Sequence, residues 1–169
     1  ATYNVYDTDS PAPMSPVTML PGSGTQAPPI SRTSITLRGN EAPNTFNNLG
    51  WITDGNNATE GNNVKAGIDR DGINGIDATV NGASRVFNFS YDPAVTDPLT
   101  TAYQQGEVTN GFYWVNRYHD KMYRMGFTEA ARNFQTDNFG RGGVGADAVQ
   151  AELHGSGARR TANFATPAD

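Results

Sequence analysis

The chain has no cysteine among its 169 residues, which removes a disulfide framework, a thiolate metal site and a thiol nucleophile at one stroke. Positive charge is scarce as well. Twelve Lys and Arg stand against 17 Asp and Glu, a formal net charge of −5, and only Arg159-Arg160 occur as a pair, so the clustered basic face that a nucleic-acid partner needs is missing. No apolar run reaches membrane-spanning length and no signal peptide is present, so no membrane partner is expected; a chain that begins on Ala1 without Met reads as a processed mature polypeptide. Hydrophobic residues make up only 36%, whereas Gly (19) and Pro (10) are plentiful. The length suffices for one domain with a real core, but much of the chain is expected to be irregular loop wrapped round it.

The motifs of common catalytic classes are also lacking. A zinc-peptidase helix needs two His four apart with a Glu after the first, so that both imidazoles face the metal and the carboxylate reaches its water. The two histidines, His119 and His154, have no partner at that spacing; Asp120 follows His119, and residue 123 is Tyr123. His119 therefore reads as a helix-face histidine bonded inside the fold. No GxSxG elbow exists, since Ser23 and Ser156 lie between glycines in turns, and the glycines at 140, 142, 143 and 145 lack the Lys-Ser/Thr of a phosphate loop.

The chain does contain clear local signals. Residues 1–32 read as an extended Pro-rich arm that opens with a short strand, Tyr3 to Tyr6, and 33–169 as the domain proper. Thr33 to Arg38 is a predicted strand. The stretch from Gly39 to Asp77 reads as loop anchored by Phe46, Trp51, Ile52 and Val64. Within it Asn57-Ala58-Thr59 is a formal glycosylation sequon. Asp69, Asp71, Asn74 and Asp77 alternate around a Gly in the way oxygen ligands gather round Ca²⁺. Val80 stands where a calcium hand needs its Glu, so a solvated turn is the first reading and a calcium loop the second. Arg85 to Tyr91 predicts the clearest strand, with Phe87, Phe89 and Tyr91 on one face.

From Thr100 to Met125 the period becomes helical, with Val108, Phe112, Val115, His119, Met122 and Met125 on the buried stripe and Tyr118 and Trp114 helping to pack it. Gly126 and Phe127 supply a C-terminal cap, and Thr128 caps a short second helix. Asn138 to Gly145 reads as a flexible turn. It leads into a hairpin: Val149, Ala151 and Leu153 alternate with Gln150 and Glu152, Gly155-Ser156-Gly157 turn the chain, and Ala162 to Thr166 form the outer strand. Pro167-Ala168-Asp169 provides nothing that closes a domain, so a further portion of the fold is expected elsewhere.

The words ATYNVY, GNNVKAGIDRDG, YHDKMYRMGFTEAARNFQ, GADAVQAELHGSG and ANFATPAD, in this order, resemble the fungalysin family of secreted zinc metalloendopeptidases, in the N-terminal half of the mature catalytic domain. The resemblance implies an α+β fold: a thermolysin-like N-terminal catalytic lobe, a loop-rich antiparallel sheet with a long buried helix, incomplete without a C-terminal portion. It implies an exported enzyme held inactive by a propeptide, hydrolysing peptide bonds in peptide or protein substrates. These residues stop before the HExxH helix and the downstream glutamate, so the zinc ligands and general base would lie on a separate or missing segment. This chain alone is then expected to be inactive. Asn163, Phe164 and Ala165 would form an edge strand to which an extended substrate adds, Asn163 offering its amide and the other two their main-chain groups. The alternative is a secreted noncatalytic binding or adhesion module, calcium-stabilised, with Tyr113, Trp114 and Tyr118 as a sugar or peptide platform.

Overall fold

A computed structural model describes residues 1–7, 31–70, 73, 75–91, 103–153 and 165. Among these residues six short strands and one long helix follow in chain order: β1 (Thr2–Val5), β2 (Thr33–Thr36), β3 (Val64–Ile68), β4 (Ala78–Thr79), β5 (Val86–Phe87), α1 (Gln104–Arg124) and β6 (Val149–Leu153). They form two three-stranded sheets, β2-β1-β5 and β4-β3-β6. Both are mixed rather than antiparallel as expected. β1 runs antiparallel to β2 but parallel to β5, and β3 antiparallel to β4 but parallel to β6. The parallel pairs join Thr2 to Val86 and Val64 to Val149, distant segments whose meeting no local turn signal announces.

α1 packs across β1, β3 and β6. The core where they meet contains Tyr3, Val5, Trp51, Val64, Ala66, Phe87, Val108, Phe112 and Tyr113, each at most 2% exposed. Tyr3 is its hub. Its ring stacks on Phe87 at 5.4 Å and lies 5.9 Å from Trp51, which meets Tyr113 edge-on at 5.6 Å. Full burial of such a side chain contributes roughly 1.5–3 kcal/mol, so a few aromatics offset the small apolar fraction.

The helix begins at Gln104 and closes with a Schellman cap. Phe127 N–H donates to the Met122 carbonyl at 3.0 Å and Gly126 N–H to the Tyr123 carbonyl at 3.0 Å, with Gly126 at φ 107°, a conformation glycine adopts without a Cβ clash. The buried stripe is narrower than its period predicts. Met125 is 71% exposed, Tyr118 63% and Trp114 38%, whereas Tyr113 is buried. Hence Tyr118 lies outside the buried stripe, Trp114 stands at its margin with its ring edge-on to Tyr113 at 6.0 Å, and Tyr113 cannot serve a surface platform.

Three further expectations change. β3 lies inside the stretch read as loop, because neighbours on both sides satisfy its backbone. The strand predicted over Arg85 to Tyr91 keeps its alternating burial but, among the described residues, pairs only at Val86 and Phe87; beyond them, Arg32 Nη1 donates to the Phe89 carbonyl at 2.7 Å and Asn4 Nδ2 to Asn88 Oδ1 at 2.7 Å. The turn at Asn138 to Gly145 is pinned rather than loose, with Asn138 Nδ2 donating to the Gly142 carbonyl and Arg141 N–H to the Asn138 carbonyl, both at 2.9 Å.

Candidate functional site

The described part of the hairpin is β6. Val149 N–H donates to the Asn63 carbonyl, and Asp69 N–H to the Leu153 carbonyl, both at 3.0 Å, so β3 holds the strand from end to end. Val149, Ala151 and Leu153 turn towards the core, while Gln150 and Glu152 are exposed. Leu153 packs over Gly111 of α1, where a missing Cβ leaves room. Among the described residues β6 pairs on one side only. Asn163, Phe164, His154 and the turn between the two strands lie outside the described residues; Ala165 is exposed.

Behind α1 the chain builds a buried polar cluster. His119 Nε2 lies 3.2 Å from Gln135 Oε1 and Nδ1 lies 3.3 Å from Asp120 Oδ1, while Asp120 Oδ2 accepts from the Trp51 indole at 2.9 Å. Gln135 is oriented by its neighbours, its amide donating to the Asp137 carbonyl at 3.0 Å and its oxygen accepting from Asn133. Nε2 of His119 therefore donates to Gln135. Glu129, 1% exposed, accepts from the Tyr123 hydroxyl at 2.7 Å and pairs with Arg141 at 3.1 Å. Burial alone pushes its carboxyl up, but its own backbone N–H, Tyr123 and Arg141 outweigh this and hold it below the usual carboxylate range.

Asn133, Gln135 and Glu129 were not singled out as functional candidates in the sequence. Their signal is the alternation Asn133-Phe134-Gln135, whose central ring meets Phe127 at 5.7 Å while both amides are buried. In the aspartate-rich loop, Asp71 and Asn74 lie outside the described residues. Asp77 Oδ2 accepts from Arg70 N–H at 2.7 Å, which is a turn bond, whereas Asp69 is 6% exposed and its Oδ1 has no hydrogen-bond partner among the described residues. At the sequon, Asn57 Oδ1 accepts from Arg85 and Thr59 is fully buried, its hydroxyl bonded to the Ala66 carbonyl.

No group of three or more His, Asp or Glu among the described residues is placed to hold a metal ion, and both ring nitrogens of His119 already face protein acceptors. The described residues thus do not fit a zinc centre. What they define is an α+β fragment in which one helix supports an edge strand and an internal polar cluster. The family follows from comparison: a sequence model of fungalysin metallopeptidases matches residues 24–169, and the chain belongs to that family.

It is 37% identical over 128 residues to the extracellular metalloproteinase MEP of Pyricularia oryzae, covering 72% of this chain and 20% of that protein. It is 40% identical over 124 residues to extracellular metalloproteinase 5 of Arthroderma otae, covering 70% and 19%. Against extracellular metalloproteinase 1 of Trichophyton rubrum the identity is 39% over 126 residues, covering 72% and 20%. The matched region spans about a fifth of the length of these relatives.

Proposed function

We propose that this chain is the substrate-gripping N-terminal portion of a secreted zinc metalloendopeptidase that hydrolyses peptide bonds in proteins. Its zinc ligands would lie outside these residues, on a C-terminal portion carrying HExxH. The observation that carries the reading is membership of a metallopeptidase family across residues 24–169 in a sequence without HExxH. The lobe is thermolysin-like in this proposal, and a propeptide covers it before activation. The named relatives are extracellular, which supports export.

The pairing of β6 on one side only among the described residues supports the gripping role, since it leaves the other side for the outer strand of the expected hairpin. A strand ladder that continues into Asn163, Phe164 and Ala165 offers main-chain groups to an extended peptide, giving affinity that tolerates varied side chains. Asn163 adds a side-chain amide that fixes the register.

The test is the composition of the purified protein. A copurifying or covalently continuous HExxH-bearing segment with one zinc per molecule and peptide hydrolysis is the expected result; a folded, zinc-free chain of these 169 residues alone overturns the proposal. Calcium at the Asp69 loop is proposed on the unpartnered, buried Asp69 Oδ1, the kind of hard oxygen that such a cation takes. Its check is a rise in Tm on adding Ca²⁺ that is lost in Asp69→Asn.

A further inference from the structure

A cleft beside the C-terminal half of α1 has a cavity volume of about 260 Å³. Its walls include Trp51, Pro43, Glu41, Asp120 and two arginines of the helix, Arg117 and Arg124. The arginines are seven residues apart, two turns and about 10 Å along the axis, hence on the same side of the helix. Charge bookkeeping in this cleft is uneven. Glu41 is already engaged, its two oxygens accepting from the backbone N–H groups of Arg38 and Gly39. Asp120 is engaged too, by the Trp51 indole and His119.

The guanidiniums are not. Among the described residues, Arg117 rests over the Tyr113 ring at 5.9 Å, and Arg124 donates only its Nε, to the Asp120 carbonyl at 3.2 Å. Among the described residues neither pairs with a carboxylate. Two planar forks, with donors unpaired among the described residues, therefore line a cavity whose two carboxylates are engaged; Asn44, also in the wall, keeps a buried Oδ1 without a hydrogen-bond partner among those residues, an acceptor within the same cleft.

We propose that this cleft binds a carboxylate carried on a short aliphatic stem. A guanidinium fork matches the two oxygens of a carboxylate in plane. The stem lies against Trp51 and Pro43. Glu41 and Asp120 cancel the summed positive charge, so a dianion such as phosphate meets more repulsion than a monoanion does, and recognition rests on hydrogen-bond geometry. The carboxylate can arrive on an acidic side chain of a polypeptide or as a free small acid. Neither source depends on the peptidase reading, because the site lies on α1 and the loops against it.

The test is a titration of the intact protein followed through the Trp51 indole N–H resonance, assigned by its loss in Trp51→Phe; with two tryptophans in the sequence the assignment is direct. The probes are acetyl-Ala-Glu-Ala-amide, its Gln twin, propionate and inorganic phosphate. Saturable shifts with the Glu peptide, weakened roughly tenfold in Arg117→Gln and in Arg124→Gln at unchanged Tm, are expected, since each removes a charge-assisted hydrogen bond. Arg117→Lys, which keeps the charge but not the fork, should recover only part of the loss. Glu peptide tighter than propionate assigns the site to a polypeptide; parity assigns it to a free acid. Equal shifts with the Gln twin, tighter binding of phosphate, no saturation at millimolar concentration, or full binding in the double Gln variant each overturn the proposal.

Discussion

Glu129 shows how a single residue ties this chain together. It is buried, yet ionised by its partners Tyr123 and Arg141, one on the helix and one on the turn that follows. Because its folded carboxyl titrates below the unfolded one, its contribution is complete above the ordinary carboxylate range and is lost as pH falls through the depressed folded value. Glu129→Gln should lower stability at neutral pH by roughly 1–3 kcal/mol, the cost of a charge-assisted buried bond. Its stability curve should also be flatter than that of the parent below pH 5 or so; urea melts across pH check both, and parallel curves would show that the ion pair contributes nothing. Single residues were unevenly legible. His119 could be read as internally bonded because it lacked any metal-spaced partner, and Gln135 and Asp120 do hold it. Met125 and Tyr118 misled because a helical period gives the direction of an apolar stripe, not its width. Glu129 was invisible as an ion pair because its partner Arg141 lies across a loop closure.

At the level of elements, β3 is where sequence reading and structure part. Val64 to Ile68 sits among Asn, Gly and Asp, and its pattern VKAGI shows no clean alternation, so it reads as loop. Strand identity here comes from partners: β4 on one side and β6 on the other leave none of its five residues exposed and satisfy its backbone. Gly67 is the point of closest approach. A Cβ there would overlap the Ile76 side chain and the Ala78 carbonyl oxygen. The second contact is backbone and cannot rotate away, so Gly67→Ala should destabilise by roughly 1–3 kcal/mol through overpacking and loosen β4 before β6. Hydrogen exchange at the Asp77 amide, which donates to the Ile68 carbonyl at 2.8 Å, and at the Val149 amide, which donates to the Asn63 carbonyl, distinguishes the two: faster exchange at Asp77 alone at low denaturant is expected, and unchanged exchange with an unchanged melt would refute the close-packing argument. The C-terminal end of the helix, by contrast, was readable almost to the residue, because the period and the Gly126-Phe127 cap are local signals, whereas α1 starts at Gln104 rather than at Thr100.

At the scale of the whole molecule, the described residues form a helix-backed strand pair, with β6 joined on one side only among them. α1 braces β3 and β6 from one side, and the polar cluster fixes the helix end through Asp120 to Trp51 and through Tyr123 to Glu129. Rigid backing matters for the proposed role, since main-chain recognition of an extended peptide requires donors and acceptors held in register. That role could not be read from periodicity, which is the same for any half-buried hairpin; it came from the wording of the C-terminal quarter, and Asn163 and Phe164 are outside the described residues. Asn163 is the residue where the role can be tried. In the enzyme assembled with its HExxH portion, Asn163→Ala removes one side-chain bond to the substrate backbone and should cut kcat/KM about tenfold, the worth of one well-placed hydrogen bond. If the amide aligns the peptide for attack rather than merely holding it, most of the loss falls in kcat with KM little changed. A rise confined to KM would assign Asn163 to ground-state binding, and an unaltered kcat/KM in a variant of parental Tm would remove this strand from the substrate cleft.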